Sequence, residues 1–244
     1  MSMLQLPNLD GLAPGSIYCI GRNYAEHARE LQNEVPDRPL VFLKPRSSLI
    51  GDGGEVVLPA ASREVHHEVE LVAAIAKAEG SGAAGWAASP KAGANTGASG
   101  WKNVPEHEAL RAVAGYAVGI DVTARDLQQQ AKEKGHPWTV AKGYDTFAPL
   151  GSFVPSEEVP DPQKLQLSLT VNGQTRQEDS TSLMLFPVAR LIAYLSSIFT
   201  LMPGDLVFTG TPKGVSPLEE GDRIVAELEG GRSRVAVTAR RESP

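Results

Sequence analysis

HHEVELVAAI, at residues 66–75, is the stretch that decides the fold of this chain. It begins with alternating polar and apolar residues and ends in an apolar run, a pattern typical of a strand that enters a hydrophobic core. Glu68 and Glu70 stand two residues apart, and the side chains of a strand alternate with a period of two. The sequence therefore predicts a core strand that carries two carboxylates on one face, near the edge of the core.

The spacing of this pair leaves two interpretations open. Neighbouring carboxylates repel one another, and each resists ionisation unless a cation or a hydrogen-bond donor neutralises it. A hard divalent ion with oxygen ligands would meet that need. An exposed strand edge with two solvated glutamates is the alternative, and the spacing alone favours it. His66 shares the predicted face, but we expect a packing role for it because hard ions prefer oxygen ligands.

A third carboxylate stands at the end of another apolar strand, at residues 115–121 (GYAVGID). Asp121 precedes a helix that we predict to start at Thr123, with Asp126 three residues later as in a capping box. Three carboxylates at strand positions would bind an octahedral Mg²⁺ or Mn²⁺ and leave positions open for water and substrate. The alternative role of Asp121 is that of a helix-start residue near a favourable dipole.

Frequent prolines and glycines (18 and 24) predict many short strands joined by turns, and hence a mixed, β-rich α+β fold. Asn23 is the predicted cap of the first helix, with Glu26 completing a capping box. Residues 40–43 (LVFL) are predicted to form a buried strand, and Asn172-Gly173 is a strong hairpin signal. Further strands are predicted at 16–20, 55–58, 165–171, 206–208, 223–228 and 234–238, and helices at 23–31 and 183–199.

The domain organisation follows from length and local composition. A chain of 244 residues can hold one β-rich domain or two small ones, and one domain over residues 1–244 is the simpler interpretation. Residues 79–104 are rich in Gly, Ala and Ser without a clear period, which predicts a long loop or insertion. A domain boundary there is the alternative, although the flanking pieces look too small and interdependent to favour it.

Composition excludes several classes of function. The net charge of −6 argues against a nucleic-acid partner. Cys19, the single cysteine, permits no intrachain disulfide and no thiolate metal cluster, and we predict a small core residue. The chain starts without a signal-peptide pattern and has no apolar run of about 18 residues. We therefore expect a cytoplasmic location and no membrane partner.

Two further features suit acid–base and electrostatic chemistry. His27 and Glu30 are three residues apart on the first predicted helix and hence neighbours on one face. A glutamate beside a histidine can fix its tautomer and raise its basicity, although a surface pair is the simpler interpretation without context. Lys142 follows PWTVA, where it either faces an anionic substrate as a buried cation or extends to solvent.

Six segments together resemble the fumarylacetoacetate hydrolase family. They are GRNYAEHAREL, VFLKP, HHEVELVAAI, GIDVTARDLQ, PWTVAKGYD and PGDLVFTGTPKGV, and they occur in the family's order over about residues 17 to 230. The likeness is greatest to the short members called acylpyruvases or oxaloacetate decarboxylases and to their bacterial relatives. An ordered match of six segments is far more specific than any one of them alone.

The resemblance implies a β-sandwich roll with a short N-terminal lid helix (residues 22–36), a homodimer, and Mg²⁺ or Mn²⁺ as cofactor. We expect the lid to be mobile without ligand and ordered with it. The site residues that the resemblance implies are the metal ligands Glu68, Glu70 and Asp121, the catalytic residues His27, Glu30 and Lys142, and the substrate contacts Lys44, Arg125, Gln128 and Thr211.

The function that the resemblance implies is cleavage of a C–C bond in a small 2-oxo acid, by acylpyruvate hydrolysis or oxaloacetate decarboxylation. The metal would act as a Lewis acid and Lys142 as a second positive charge beside the enolate. Isomerisation of a 2-hydroxy-dienoate or tautomerisation of oxaloacetate is the alternative within the family. A metal-stabilised binding protein without turnover is the alternative of another class, and the combination of Lys142 with the His27–Glu30 pair argues against it.

Overall fold

A computed structural model describes residues 5–31, 34–78 and 100–242. Its strands are β1 (Ile17–Gly21), β2 (Leu40–Lys44), β3 (Leu49–Ile50), β4 (Glu55–Leu58), β5 (Val65–His66), β6 (Val69–Ile75), β7 (Val113–Ile120), β8 (Thr123–Ala124), β9 (Ala148–Pro149), β10 (Val154–Pro155), β11 (Gln166–Val171), β12 (Gln174–Ser180), β13 (Leu206–Phe208), β14 (Arg223–Leu228) and β15 (Ser233–Arg241). Its α-helices are α1 (Ala25–Glu30), α2 (Arg125–Lys134), α3 (Thr139–Lys142) and α4 (Val188–Ile198). Short 3₁₀ turns cover Arg46–Ser48, Glu106–Ala112, Ser156–Glu158, Pro162–Lys164, Thr181–Leu183 and Glu229–Gly231.

The first sheet has six strands in the order β10-β7-β6-β13-β1-β2. Strand β6 is central in it and is buried at every position. Leu71, Ala73 and Ile75 face the main core, whereas Val72 and Ala74 face a second apolar cluster on the other side. Because both faces are covered, the second half of HHEVELVAAI is apolar without alternation.

The second sheet has five strands in the order β12-β11-β14-β15-β4. Its inward residues, such as Leu167, Leu169 and Val235, share the main core with β6, β7 and helix α4. Along β11, these buried residues alternate with outward residues that are exposed or half-buried. The predicted mixed α+β, strand-rich fold is thus confirmed, with two sheets packed around one large core.

Most strand predictions agree with the structure to within a few residues. The hairpin predicted at Asn172-Gly173 joins β11 and β12, and both residues have positive φ (52° and 77°), as a type I′ turn requires. Cys19 is fully buried, as predicted. The helix predicted over 183–199 is shorter, because Pro187 is its N-cap and the residues before it form a 3₁₀ turn.

Two predictions about helix starts are wrong. Asn23 does not cap the first helix; its amide lies in the interior, donates to the carbonyls of Phe186 and Thr209 and accepts from the Phe186 N–H. The second helix starts at Arg125 rather than Thr123, because Thr123 belongs to β8, which pairs with β5. Asp126 accepts from the Ser62 hydroxyl and the Arg63 N–H instead of completing a capping box.

The strand predicted as buried at 40–43 is an edge strand. Strand β2 lies at the end of the first sheet, with Leu40 and Leu43 exposed. Residues 79–99 of the predicted insertion, and residues 32 and 33 of the predicted lid, lie outside the described residues. Within the described ranges, no helix is long and apolar enough to cross a membrane.

Candidate metal centre

Strand register brings the three predicted carboxylates together. Strands β6 and β7 are antiparallel, with Val69 opposite Ile120 and Glu70 opposite Gly119, and β5 and β8 continue the same register beyond them. Glu68 therefore lies opposite Asp121, whose N–H donates to the Glu68 carbonyl at 2.8 Å. Residues opposite each other in an antiparallel pair point to the same face, as do Glu68 and Glu70 two residues apart. All three side chains consequently project from one face.

The side chains of Glu68, Glu70 and Asp121 are buried, and each offers an oxygen within 4.8 Å of the others. Lys142, at the end of α3, bridges two of them, with Nζ 2.8 Å from Glu68 Oε2 and 2.6 Å from Asp121 Oδ2. Arg125 donates to the other Glu68 oxygen. Burial opposes ionisation of Glu68, but Lys142 and Arg125 outweigh it and hold its pKa well below the usual range. Burial likewise opposes the charge of Lys142, yet Asp121 and Glu68 raise its pKa.

Asp121 has an oxygen that no donor satisfies. Lys44 Nζ lies 2.7 Å from Asp121 Oδ1, but its protons go to the carbonyls of Val122, Lys142 and Phe147. Oδ1 is therefore fully buried without a hydrogen bond. A buried carboxylate oxygen rarely stays unpaired, because losing hydration without a replacement is costly.

Glu70 lacks the cationic partners that Glu68 and Asp121 have. Its Oε2 accepts the Gly210 N–H at 2.7 Å. Gly210 has φ +98°, and a Cβ there would lie 2.6 Å from the Asn23 Cβ, so this close backbone approach requires glycine. Burial, together with the charges of Asp121 and Glu68, raises the pKa of Glu70 well above its usual range.

The donor set fits a hard divalent cation. Three buried carboxylates supply oxygen ligands, which is what Mg²⁺ and Mn²⁺ prefer. A cation would bind Asp121 Oδ1, which has the charge of Lys44 beside it but no hydrogen bond, and would supply the positive charge that Glu70 lacks. His66 is not part of this group, because its ring contacts Glu64 at 2.9 Å and Arg125 at 3.5 Å.

The three carboxylates line a cavity of roughly 350 Å³, including its open mouth. Of the other predicted site residues, His27, Arg125, Gln128, Lys142 and Thr211 also line it. Lys44 does not; it lies behind Asp121 with all its protons donated to protein carbonyls, so the predicted substrate contact is not supported by this geometry. Glu30 reaches the cavity only through His27.

The predicted His27–Glu30 pair forms on the short helix α1. His27 Nδ1 lies 3.4 Å from Glu30 Oε2, and the His27 side chain is buried. Glu30 also accepts the Gly214 N–H, at 3.0 Å to Oε1. Burial opposes the charge of Glu30, but these hydrogen bonds lower its pKa. The hydrogen bonds of Glu30 to Gly214 and the ion pair between Lys213 and Glu26 connect α1 to the loop after β13.

Gln177 orients the site from the second sheet, and sequence reasoning missed it. Its Nε2 donates to Pro212 O and to Thr211 Oγ1 (2.8 Å). The Pro212 carbonyl can only accept a hydrogen bond, so the NH₂ group of Gln177 must be the side of the amide that faces it. The amide oxygen, Oε1, therefore faces the opposite direction. There Oε1 accepts from the Val69 N–H and from His67 Nδ1. Gln177 therefore fixes the tautomer of His67 and the direction of Thr211. Its signal was weak, since it is a polar residue in a polar strand.

Four more cavity residues were also missed, namely Arg22, Phe42, Lys132 and Trp138. A signal for Lys132 was present, because Arg125, Gln128 and Lys132 follow the i, i+3, i+7 spacing of one helix face. Arg22 stands in the GRNY segment, next to residues that carry the resemblance. Phe42 and Trp138 also stand in two of the six segments, VFLKP and PWTVAKGYD, but only the approach of α3 to β2 brings them to the cavity.

Comparison with known proteins defines the class to which this fold and site belong. The sequence profile described as Fumarylacetoacetate (FAA) hydrolase C-terminal matches residues 16–88 and 93–238. The chain belongs to the fumarylacetoacetate hydrolase family, an enzyme family, as the six segments indicated.

Three members of the family illustrate which proteins the chain is similar to. It is 42% identical over 229 residues to the human "Oxaloacetate tautomerase FAHD1, mitochondrial", covering 94% of this chain and 92% of the relative. The fumarylpyruvate hydrolase of Pseudomonas aeruginosa, solved with Mn²⁺ and pyruvate, superposes with a TM-score of 0.83 at 35% identity, covering 98% and 96% of the two chains. The 5-carboxymethyl-2-hydroxymuconate delta-isomerase of Mycobacterium smegmatis gives a TM-score of 0.77 at 36% identity, covering 96% and 81%. The predicted fold type is thereby confirmed.

Proposed function

We propose that this protein is a divalent-metal-dependent enzyme that enolises a small 2-oxo acid, and that it acts as a keto–enol tautomerase of oxaloacetate. The observation that carries the proposal is the Glu68–Glu70–Asp121 cluster with Lys142 beside it, in the wall of the cavity. This arrangement suits a substrate that develops negative charge next to the divalent cation that the three carboxylates would hold. The human relative's name supports oxaloacetate as the substrate.

The divalent ion, Mg²⁺ or Mn²⁺, would be held by Glu68, Glu70 and Asp121 and would act as a Lewis acid toward the 2-oxo group when bound. The Mn²⁺ and pyruvate bound to the P. aeruginosa structural relative support this ion and a 2-oxo acid ligand. Arg125, Gln128 and Thr211 line the cavity and supply polar groups that would orient the substrate carboxylate.

Proton transfer falls to His27 in this proposal. It lies on the cavity wall, and Glu30 holds its Nδ1 side, so Nε2 is the nitrogen free to exchange protons. His27 would remove a proton from the carbon next to the 2-oxo group and return a proton to the oxygen, which balances the tautomerisation. Lys142 would stabilise the charge on that oxygen between the two transfers.

A second candidate is cleavage of a C–C bond, by acylpyruvate hydrolysis or oxaloacetate decarboxylation. The His27–Glu30 pair favours hydrolysis, because a histidine oriented by a carboxylate can activate water. The sequence resemblance alone favours cleavage, whereas the relatives' names divide between hydrolase, isomerase and tautomerase. Both reactions would share the enolisation chemistry of the same site.

One panel separates these reactions. Exchange of the C3 protons of oxaloacetate for deuterium, followed by NMR, measures enolisation; release of CO₂ and cleavage of acetylpyruvate measure C–C bond breakage. Each assay is run with Mg²⁺ or Mn²⁺, with EDTA, and without protein. We expect metal-dependent exchange well above the blank and faster than either cleavage. Cleavage of acetylpyruvate at a rate above exchange would instead favour the hydrolase, and no activity in any assay would contradict both.

We also propose that the chain assembles as a homodimer, which the family resemblance supports. Light scattering coupled to size exclusion measures the mass directly, and a monomer mass at micromolar concentration would contradict the proposal. The cytoplasmic location likewise remains a prediction. The human relative is named a mitochondrial protein.

A further inference from the structure

Two basic side chains of the cavity have no acidic partner. Two arginines and two lysines line it together with His27, and of these four, Arg125 and Lys142 are paired with Glu68 and Asp121. Arg22 and Lys132, within the part of the chain that the structure describes, make no ion pair and no hydrogen bond through their side chains. Cations near one another in a partly enclosed space repel, and such a pair is unfavourable without an anion.

Arg22 is held in place at a cost to the backbone. Its φ is +59°, in the left-handed region that residues with bulky side chains rarely adopt. Its Nε atom is buried without a hydrogen-bond partner. Strain and an unpaired buried donor together are found where the surrounding structure holds a residue for a purpose other than stability.

Lys132 reaches the same wall from helix α2. Its Nζ lies 5.6 Å from the centre of the Trp138 ring, and Trp138 packs against Gly21, the neighbour of Arg22. Burial, followed by the charges of Arg125 and Arg22, lowers the pKa of Lys132 to about 8. Lys132 therefore lies beside Trp138, within electrostatic reach of both Arg22 and Arg125, but only Arg125 of these three cations is paired with a carboxylate.

Phe42 and Trp138 form an aromatic part of the cavity wall beside these cations. Their rings are 5.6 Å apart, and Lys142 Nζ lies 5.0 Å from the Phe42 ring. The carboxylate triad, Arg22 and Lys132 line the same cavity, so a ligand held at the triad shares this space with two cations that have no carboxylate partner. With the divalent ion bound, the lining charge becomes more positive still, which favours a ligand with more than one negative charge.

We propose that Arg22 and Lys132 form a second anion subsite, which binds the distal carboxylate and makes this enzyme selective for 2-oxo dicarboxylic acids. The proposal rests on the proposed function, since it names the substrate class of the same site. Arg22 and Lys132 are specificity residues in it. They contact the C4 carboxylate of the substrate, which is distal to the 2-oxo group and is unchanged by tautomerisation.

The test compares oxaloacetate with its 4-methyl ester, which keeps the enolisable carbon and removes only the distal charge. Deuterium exchange at C3 gives kcat/KM for both in the metal-loaded protein. We expect the wild type to prefer oxaloacetate by about 10- to 100-fold, the range that a hydrogen bond to a charged group supplies. Arg22→Gln and Lys132→Gln should each reduce this preference about 10-fold, mainly through KM for oxaloacetate.

Matched controls remove one positive charge elsewhere. Lys134→Gln lies on the exposed side of the same helix, and Arg63→Gln lies on an exposed loop, so both should keep the wild-type preference. Arg22→Lys and Lys132→Arg keep the charge and should retain part of the preference if the variants fold. Melting temperatures identify variants that do not fold.

Several results would overturn the subsite. A wild type that exchanges the ester as well as oxaloacetate would do so, as would glutamine variants with an unchanged preference. If neither compound is exchanged, the proposed function fails. Binding of malate and lactate to the Mn²⁺-loaded protein, measured by calorimetry, then decides the subsite alone: tighter binding of malate that Arg22→Gln abolishes supports it, and equal binding contradicts it.

Discussion

Asp121 makes different contacts through its two oxygens. Oδ2 accepts from Lys142, whereas Oδ1 has Lys44 Nζ 2.7 Å away but no hydrogen bond. An amide in place of the carboxylate would put an N–H group or a neutral oxygen at the ion position and would leave two buried ammonium groups less compensated. The side chain is therefore needed for charge as well as for shape.

Asp121→Asn should weaken Mn²⁺ binding by more than the roughly 10–100-fold that loss of an outer partner of a metal ligand costs. Isothermal calorimetry of the purified protein measures this. Asp145→Asn is the control, since Asp145 is an exposed carboxylate outside the cavity and should leave the affinity unchanged. Unchanged Mn²⁺ affinity in Asp121→Asn, with the protein folded, would remove Asp121 from the ligand set.

His27 is the basic group on the cavity wall that is best placed for proton transfer, because the lysine and arginine beside the triad are occupied by carboxylates. General-base assistance is typically worth roughly 10²–10⁴-fold. His27→Ala should therefore slow C3 exchange of oxaloacetate, and any hydrolysis of acetylpyruvate, by about that factor. His107→Ala, which changes an exposed histidine, is the control. Decarboxylation should fall clearly less, because loss of CO₂ needs no base.

Exchange that persists at the wild-type rate in His27→Ala would assign the proton transfer to another group. In Lys142→Ala, all three reactions should fall together, since each develops negative charge on the 2-oxo oxygen. A selective loss of only one reaction in Lys142→Ala would contradict that shared role.

At the scale of elements, one side chain joins the two sheets at the site. Gln177 on β12 contacts His67 and Val69 at the start of β6, as well as Thr211 after β13. Its amide is fully buried, so each lost contact leaves a polar group without water. The second sheet thus holds the substrate-facing loop and the carboxylate-bearing strand in a fixed relation.

Gln177→Leu should lower the free energy of unfolding by about 2–4 kcal/mol, because it leaves the Val69 N–H and His67 Nδ1 without partners in the interior, although His67 Nε2 keeps its contact with Ser216. Urea denaturation monitored by fluorescence measures this loss. Gln174→Leu is the matched control, since Gln174 is exposed on the same strand and makes no side-chain hydrogen bond in the described structure. A loss below about 0.5 kcal/mol in Gln177→Leu would show that the network is not structurally important.

At the scale of the whole molecule, the burial of three carboxylates links metal binding to stability. Glu70 in particular is buried with its pKa raised by burial and by the charges of Asp121 and Glu68. A ligand that binds only the folded state stabilises it by about 2.7 kcal/mol at a concentration of 100 times Kd. Unfolding of the whole chain should therefore respond to the ion.

Saturating Mn²⁺ should raise the melting temperature by about 5–10 °C, given the roughly 2–4 °C per kcal/mol expected for a domain of this size. Differential scanning calorimetry with Mn²⁺ and with EDTA measures the shift. The Asp121→Asn variant should show little of it, which separates binding at the triad from weak binding to surface carboxylates. An equal shift in wild type and variant would place the ion elsewhere.

The sequence by itself determined the three carboxylates, several of the other residues of the site, and much of the local structure. The period-two spacing of Glu68 and Glu70, the apolar run after them and the Asn172-Gly173 turn are local signals, and the structure bears them out. Six ordered segments also determined the family. Such features are readable because they depend on neighbours a few residues apart.

Only the tertiary structure decided which of those residues meet. The register that puts Asp121 opposite Glu68 depends on pairing across about fifty residues of chain, and Lys44 proved to lie behind Asp121 rather than in the cavity. Asn23 does not act as the predicted helix cap, because its side-chain amide makes three hydrogen bonds to backbone groups in the interior. The pairing of Arg125 and Lys142 with carboxylates, which leaves Arg22 and Lys132 free, has no local signal. Burial and charge compensation are sums over distant neighbours, and the fold brings those neighbours together.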